Sequence, residues 1–120
     1  MAKTADEQNE NKVLEIIEKT LDDNKAEDVI VMDLRGKTSI ANHMVVASGT
    51  SQRHVASLAE KVQENLKAAG FSSTIEGAEK ADWVLIDAFD VIVHIFKPEV
   101  RAFYSLEKMW SSVKTRSMGD

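Results

Sequence analysis

The chain contains no cysteine, so disulfides, thiolate metal sites and thiol nucleophiles are all excluded. It has one proline and five glycines in 120 residues, and nothing resembling a Pro/Gly-rich linker. No run of about 18 apolar residues occurs, and the stretch from Met1 to Lys12 is polar and acidic, unlike an export signal or a basic transit peptide. A cytoplasmic protein is expected. Cations are the minority charge, 15 Lys and Arg against 20 Asp and Glu, for a net charge of −5. That balance disfavours extensive direct nucleic-acid binding, which needs clustered cations, and suits a basic protein partner better. What the chain does have is apolar content: 43% hydrophobic residues, enough for one domain with one core. The core is expected over about residues 13–112, between polar tails at 1–12 and 113–120.

Val13, Leu14, Ile17 and Leu21 recur at helical spacing, with Ile16 widening the stripe, and the pattern dissolves at Asp22, Asp23 and Asn24. Val29 to Leu34 reads as a strand buried on both faces, and Met44 to Ser48 as a second. Val55, Leu58, Ala59, Val62 and Leu66 mark the clearest helix, with Thr50 or Ser51 as cap and Gly70 where a left-handed backbone is tolerated. A short strand at Ser72 to Glu76 is expected to run parallel to the second strand through a right-handed crossover. Trp83 to Asp87 and Val91 to Phe96 are spaced as a hairpin. Pro98 suits the first turn of a last helix whose apolar side is Val100, Phe103 or Tyr104, Leu106 and Trp110. The expected fold is a single α/β domain with a mixed five-stranded sheet and three main helices.

Little in this pattern supports catalysis. The turn of Ser48, Gly49, Thr50 and Ser51, with Arg53 and His54 nearby, offers backbone N–H groups and hydroxyls to an anion. It lacks the Gly-rich length and lysine of a phosphate loop, so a plain turn and helix cap accounts for it as well. A nucleotidyltransferase would need two or three carboxylates around Mg²⁺. Asp87 and Asp90 are three apart across a turn, not at the Asp-x-Asp spacing that puts both on one face of a strand. His94 has no second histidine at metal-ligand spacing, so a satisfied, partly buried histidine is the simpler reading. A Ser-His-Asp triad from Ser48 or Ser51, His94 and Asp87 lacks the G-x-S-x-G elbow. Trp83, Leu85 and Asp87 share one face of their strand and Val84 and Ile86 the other. Trp83 is therefore either core or the aromatic anchor of an interface, and both readings stay open.

These pieces also form an ordered pattern: Asp33-Leu34-Arg35-Gly36-Lys37-Thr38-Ser39; Ser48-Gly49-Thr50-Ser51-Gln52-Arg53-His54-Val55; Glu76-Gly77; Asp82 to Asp87 with Asp90 to Phe96; and Arg101, Phe103-Tyr104 and Leu106 to Trp110. In order and spacing this closely resembles the ribosomal silencing factors, also called the Iojap-like family, over about Val13 to Trp110. The resemblance implies a nucleotidyltransferase-like fold without transferase activity and without a cofactor. It implies binding to ribosomal protein fourteen of the large subunit, steric blocking of subunit joining when nutrients are short, and homodimers on an overlapping surface. By resemblance, Trp83, His94 and Tyr104 are contact candidates, with Asp87, Asp90 and Glu107 available to a basic partner. The rival reading is a nucleotide-binding or nucleotidyl-transferring enzyme that uses Ser48, Thr50, Ser51 and Arg53. Two departures stand out. Ala41-Asn42-His43 replaces Ala-Asp-aromatic, and Asp87-Ala88-Phe89-Asp90 replaces Asp-x-Gly-Asp, putting a large apolar side chain at the hairpin tip.

Overall fold

A computed structural model describes residues 5–36, 41–77, 79–99 and 114–117. The first helix, α1 (Ala5–Asp23), begins well before the apolar stripe that announces it. Val13, Leu14, Ile17 and Leu21 are buried, and the stripe extends backwards to Glu10, which is only 6% exposed. Residues 5–12 are thus not a loose tail: Glu10 lies three and four residues before Val13 and Leu14, on the face that meets the sheet. The helix ends in a Schellman arrangement, with Ala26 N–H on the Leu21 carbonyl and Lys25 N–H on the Asp22 carbonyl. Lys25 occupies the left-handed position, at φ +63°.

Strands β1 (Glu27–Asp33) and β2 (His43–Ser48) pair antiparallel. Helix α2 (Gln52–Ala68) follows, capped by Ser51, whose Oγ accepts from the His54 N–H at 3.1 Å. It closes with the same Schellman pair, Phe71 N–H to Leu66 and Gly70 N–H to Lys67, and here a glycine takes the left-handed position. Then come β3 (Thr74–Glu76), β4 (Trp83–Ala88), β5 (Val91–Phe96) and β6 (Lys114–Ser117). The sheet order is β3-β4-β5-β2-β1-β6. Of the neighbouring pairs, β2 with β5 is parallel and the rest are antiparallel, so the sheet is mixed as expected.

Two expectations change, and a third lies beyond the described residues. The sheet gains a sixth strand: β6, in the stretch read as a polar tail, pairs with β1 from Ile30↔Ser117 to Asp33↔Lys114. Next, β3 does run in the direction of β2, but two strands away and hydrogen-bonded to β4. A strand of only three residues, Thr74, Ile75 and Glu76, two of them polar, is too short for the centre, which goes to β5, apolar except for His94. Among the described residues there are two helices; past Glu99 the expected third, with Tyr104, Glu107 and Trp110, lies outside them.

Strand alternation divides the core. On one face Val29, Val31, Val45, Ala47, Val84, Ile86, Val91, Val93 and Ile95 meet the buried stripes of α1 and α2. On the other, Met32, Leu34, Met44, Val46 and Phe96 form a second buried cluster, with Ile30 and Trp83 against it. Each fully buried Val, Leu, Ile or Phe contributes about 1.5–3 kcal/mol, so the first cluster is what holds the two helices on the sheet.

Candidate functional site

The second face of the sheet carries three of the sequence candidates, Trp83, Asp87 and His94, while Asp90 lies in the hairpin turn and Ser48, Thr50, Ser51 and Arg53 lie where β2 leads into α2. Trp83, at the start of β4, sits across from Phe96 on β5, and their rings stack at 5.0 Å between centroids and 29°. His94 lies near-parallel to Phe96, at 6.0 Å and 9°. The Trp83 indole Nε1–H donates to His94 Nδ1 at 3.0 Å. An indole nitrogen can only donate, so Nδ1 is the accepting nitrogen and the neutral ring carries its proton on Nε2. Burial pushes the His94 pKa down to about 4, which keeps the ring uncharged at neutral pH. Trp83 is therefore neither plain core nor a loose surface ring: it is half-buried and fixed by an acceptor and a stacking partner. An aromatic held this way loses little rotamer freedom when a partner covers it.

Cross-strand register surrounds this group with Leu85 and Asp87, and adds Thr74, Glu76 and Ile92, which the sequence did not assign as contacts. Leu85 pairs with His94 and with Glu76, and Asp87 pairs with Ile92 and with Thr74. Leu85 and Ile92 are half-buried, while Thr74, Glu76 and Asp87 are exposed. An apolar strip of Trp83, Leu85 and Ile92 thus runs beside two carboxylates. Alternation within β5 pointed to Ile92, but Glu76 required knowing that β3 sits beside β4.

The loop before β4 is closely fitted. Gly77 has φ +85°, and an added Cβ would collide with the Trp83 carbonyl oxygen. Asp82 accepts from Gln52 Nε2 at 2.9 Å and lies 3.5 Å from Lys97 Nζ, tying the loop to α2 and to the end of β5. Beside Trp83 is a surface hollow of about 550 Å³, lined by Ile75, Gly77, Glu79, Lys80 and Asp82 as well as Trp83 itself.

At the other end of β4 the hairpin turns through two residues, Phe89 and Asp90, because Ala88 pairs directly with Val91. Phe89 takes φ +56°, so the turn keeps its left-handed backbone without glycine. The Asp90 carbonyl accepts from the Asn42 and His43 N–H groups at 2.9 and 3.1 Å. Those two residues are in turn held by Glu10, whose carboxylate takes His43 Nδ1 at 2.7 Å and Asn42 Nδ2 at 3.1 Å. A buried carboxylate on α1 thereby fixes the hairpin tip, and the Asn42-His43 departure from the family pattern is part of that clamp.

The Ser48 to His54 turn is built as a cap. Ser48 is buried; the Gly49 N–H goes to the Phe96 carbonyl, the Thr50 N–H to His54 Nδ1 at 2.9 Å, and the His54 N–H to Ser51. His54 Nε2 reaches the Asn24 carbonyl at 2.9 Å, joining the start of α2 to the end of α1. Gly49 is required by close approach, since a Cβ there would lie 2.8 Å from the Val55 side chain and 2.9 Å from its backbone nitrogen. Arg53 is exposed. Among the described residues no group of three or more His, Asp or Glu is placed to hold a metal ion.

Comparison with known proteins agrees with this architecture. The family profile described as "Ribosomal silencing factor during starvation" matches residues 7–120. The chain is 50% identical over 99 residues to the ribosomal silencing factor RsfS of Zymomonas mobilis, covering 82% of this chain and 74% of that one. It is 39% identical over 100 residues to the protein of the same name from Haemophilus influenzae, covering 82% and 98%. A crystal structure of a Chromobacterium violaceum protein superposes with a TM-score of 0.82 at 38% identity, over 92% of each chain. The chain belongs to the ribosomal silencing factor family.

Proposed function

We propose that this protein binds the large ribosomal subunit through a basic ribosomal protein, identified by the family resemblance as protein fourteen, and blocks the small subunit by occupying the joining surface. Translation is repressed in this way when nutrients are short. The observation that carries the reading is the strip of Trp83, Leu85 and Ile92 beside Glu76 and Asp87, in a chain of net charge −5. A fixed aromatic with apolar neighbours and an acidic rim is suited to a basic protein surface, the aromatic supplying affinity and the carboxylates supplying encounter rate and orientation.

Occlusion needs affinity and bulk but no catalytic group, so the protein acts without being an enzyme, on a fold of nucleotidyltransferase kind, in the bacterial cytoplasm. By the family resemblance, Tyr104 and Glu107 also contact the partner, and homodimers use an overlapping surface. Nucleotide binding at Ser48, Thr50, Ser51 and Arg53 is the weaker reading, because the Gly49, Thr50 and His54 N–H groups that would meet a phosphate are engaged within the chain. The test is co-sedimentation of purified protein with large subunits at moderate salt. Binding by the wild type, lost in a folded Trp83→Ala variant, supports the reading; absence of wild-type binding contradicts it.

A further inference from the structure

Phe89 is a poor choice for the folded chain by itself. It is the large hydrophobic side chain exposed among the described residues, at 45%. It also holds a left-handed backbone, φ +56°, that glycine adopts freely and an L side chain does not. The turn cannot relax away from this conformation easily, because the Asp90 carbonyl is held by two N–H groups that are themselves fixed through buried Glu10. A residue that strains the backbone and adds little to either buried cluster is explained by contact outside the chain.

Its surroundings describe that contact. Asp87 and Asp90 stand two residues before and one after Phe89 in the chain, both exposed and neither in an ion pair among the described residues. The six residues of β4 span about 20 Å, whereas an ordinary interface of about 800 Å² per partner is roughly 30 Å across, so Trp83 and the hairpin tip fit beneath one partner. The geometry points to Phe89 as a second aromatic anchor of the large-subunit interface, inserted into an apolar pocket that Lys or Arg side chains of the basic partner surround, with Asp87 and Asp90 meeting those cations. This rests on the large-subunit reading and adds to it a contact at the far end of the hairpin from Trp83.

The experiment measures the affinity of the full chain for salt-washed large subunits with Phe89→Gly, Phe89→Ala and Phe89→Leu, alongside melting temperature and sedimentation velocity. Phe89→Gly should melt higher than the wild type and yet bind about tenfold more weakly or worse, Phe89→Ala should bind equally weakly, and Phe89→Leu should recover part of the loss. Wild-type affinity in the Gly and Ala variants, with Trp83→Ala still defective, overturns the inference and leaves the wider reading standing. A wild-type dimer that Phe89→Gly converts to monomer with subunit affinity unchanged also overturns it, making a second copy the occupant. Failure of the wild type itself to bind overturns both.

Discussion

Acidification should weaken this fold through His94, by an amount that its burial sets. In the folded chain the ring is buried with its Nδ1 engaged by Trp83, and its pKa is down to about 4 from 6.5. The unfolded chain therefore takes up the proton first as pH falls. Stability from this site is intact above about pH 6.5, declines from there, and is fully lost near pH 4. The whole shift is worth about 3 kcal/mol, and the part between pH 7 and pH 5 about 2 kcal/mol. Other groups titrate over this range, so the useful quantity is a difference. His94→Gln keeps an acceptor for the indole but has no proton to gain, and every other group stays the same in both proteins. Urea unfolding at pH 7 and pH 5, followed by circular dichroism, should show the wild type losing about 2 kcal/mol more than the variant. Equal losses in the two proteins would refute the argument, as would a histidine titrating near 6.5 at this position by NMR.

Four further outcomes follow from particular contacts. Glu10→Ala leaves His43 and Asn42 without their buried acceptor and should cost about 2 kcal/mol in denaturant unfolding. Lys25→Gly and Phe89→Gly each relieve a left-handed residue at an exposed site and should stabilise by about 1 kcal/mol, read as a higher unfolding midpoint. Gly49→Ala forces a methyl against Val55 and should destabilise by about 1–3 kcal/mol, separating β2 from the start of α2. Asp87→Lys should slow association with large subunits and flatten its salt dependence while leaving the melting temperature nearly unchanged, because the side chain is exposed.

Much of the architecture could be read from local pattern. The α2 stripe, its Ser51 cap and Gly70 each have a local physical cause, and so do the bounds of β5, set by an apolar run between a turn and a proline. Trp83, Leu85 and Asp87 were placed together by alternation alone. What pattern could not supply were contacts between distant segments. The placing of β3 depends on which strand wins the centre of the sheet. The pairing of β6 with β1 joins a polar stretch to an edge 81 to 87 residues earlier, and backbone hydrogen bonds need no apolar signal. Glu10 looked like part of a polar lead because a carboxylate facing inward makes sense only beside His43 and Asn42, 33 and 32 residues away. The Trp83 to His94 bond was likewise invisible until register set the two strands side by side. The cap at Ser48 to His54 was ambiguous in sequence because an anion site and a helix cap use the same residue types.

The central claim is that the protein keeps ribosomal subunits apart by covering one of them. Light scattering of purified subunits tests this directly, with the protein added either before or after the two subunits are mixed. The account predicts that prior addition to large subunits suppresses the rise in scattering in proportion to occupancy, that Trp83→Ala suppresses it far less, and that nucleotides make no difference. Full association of subunits in the presence of saturating wild-type protein would contradict it.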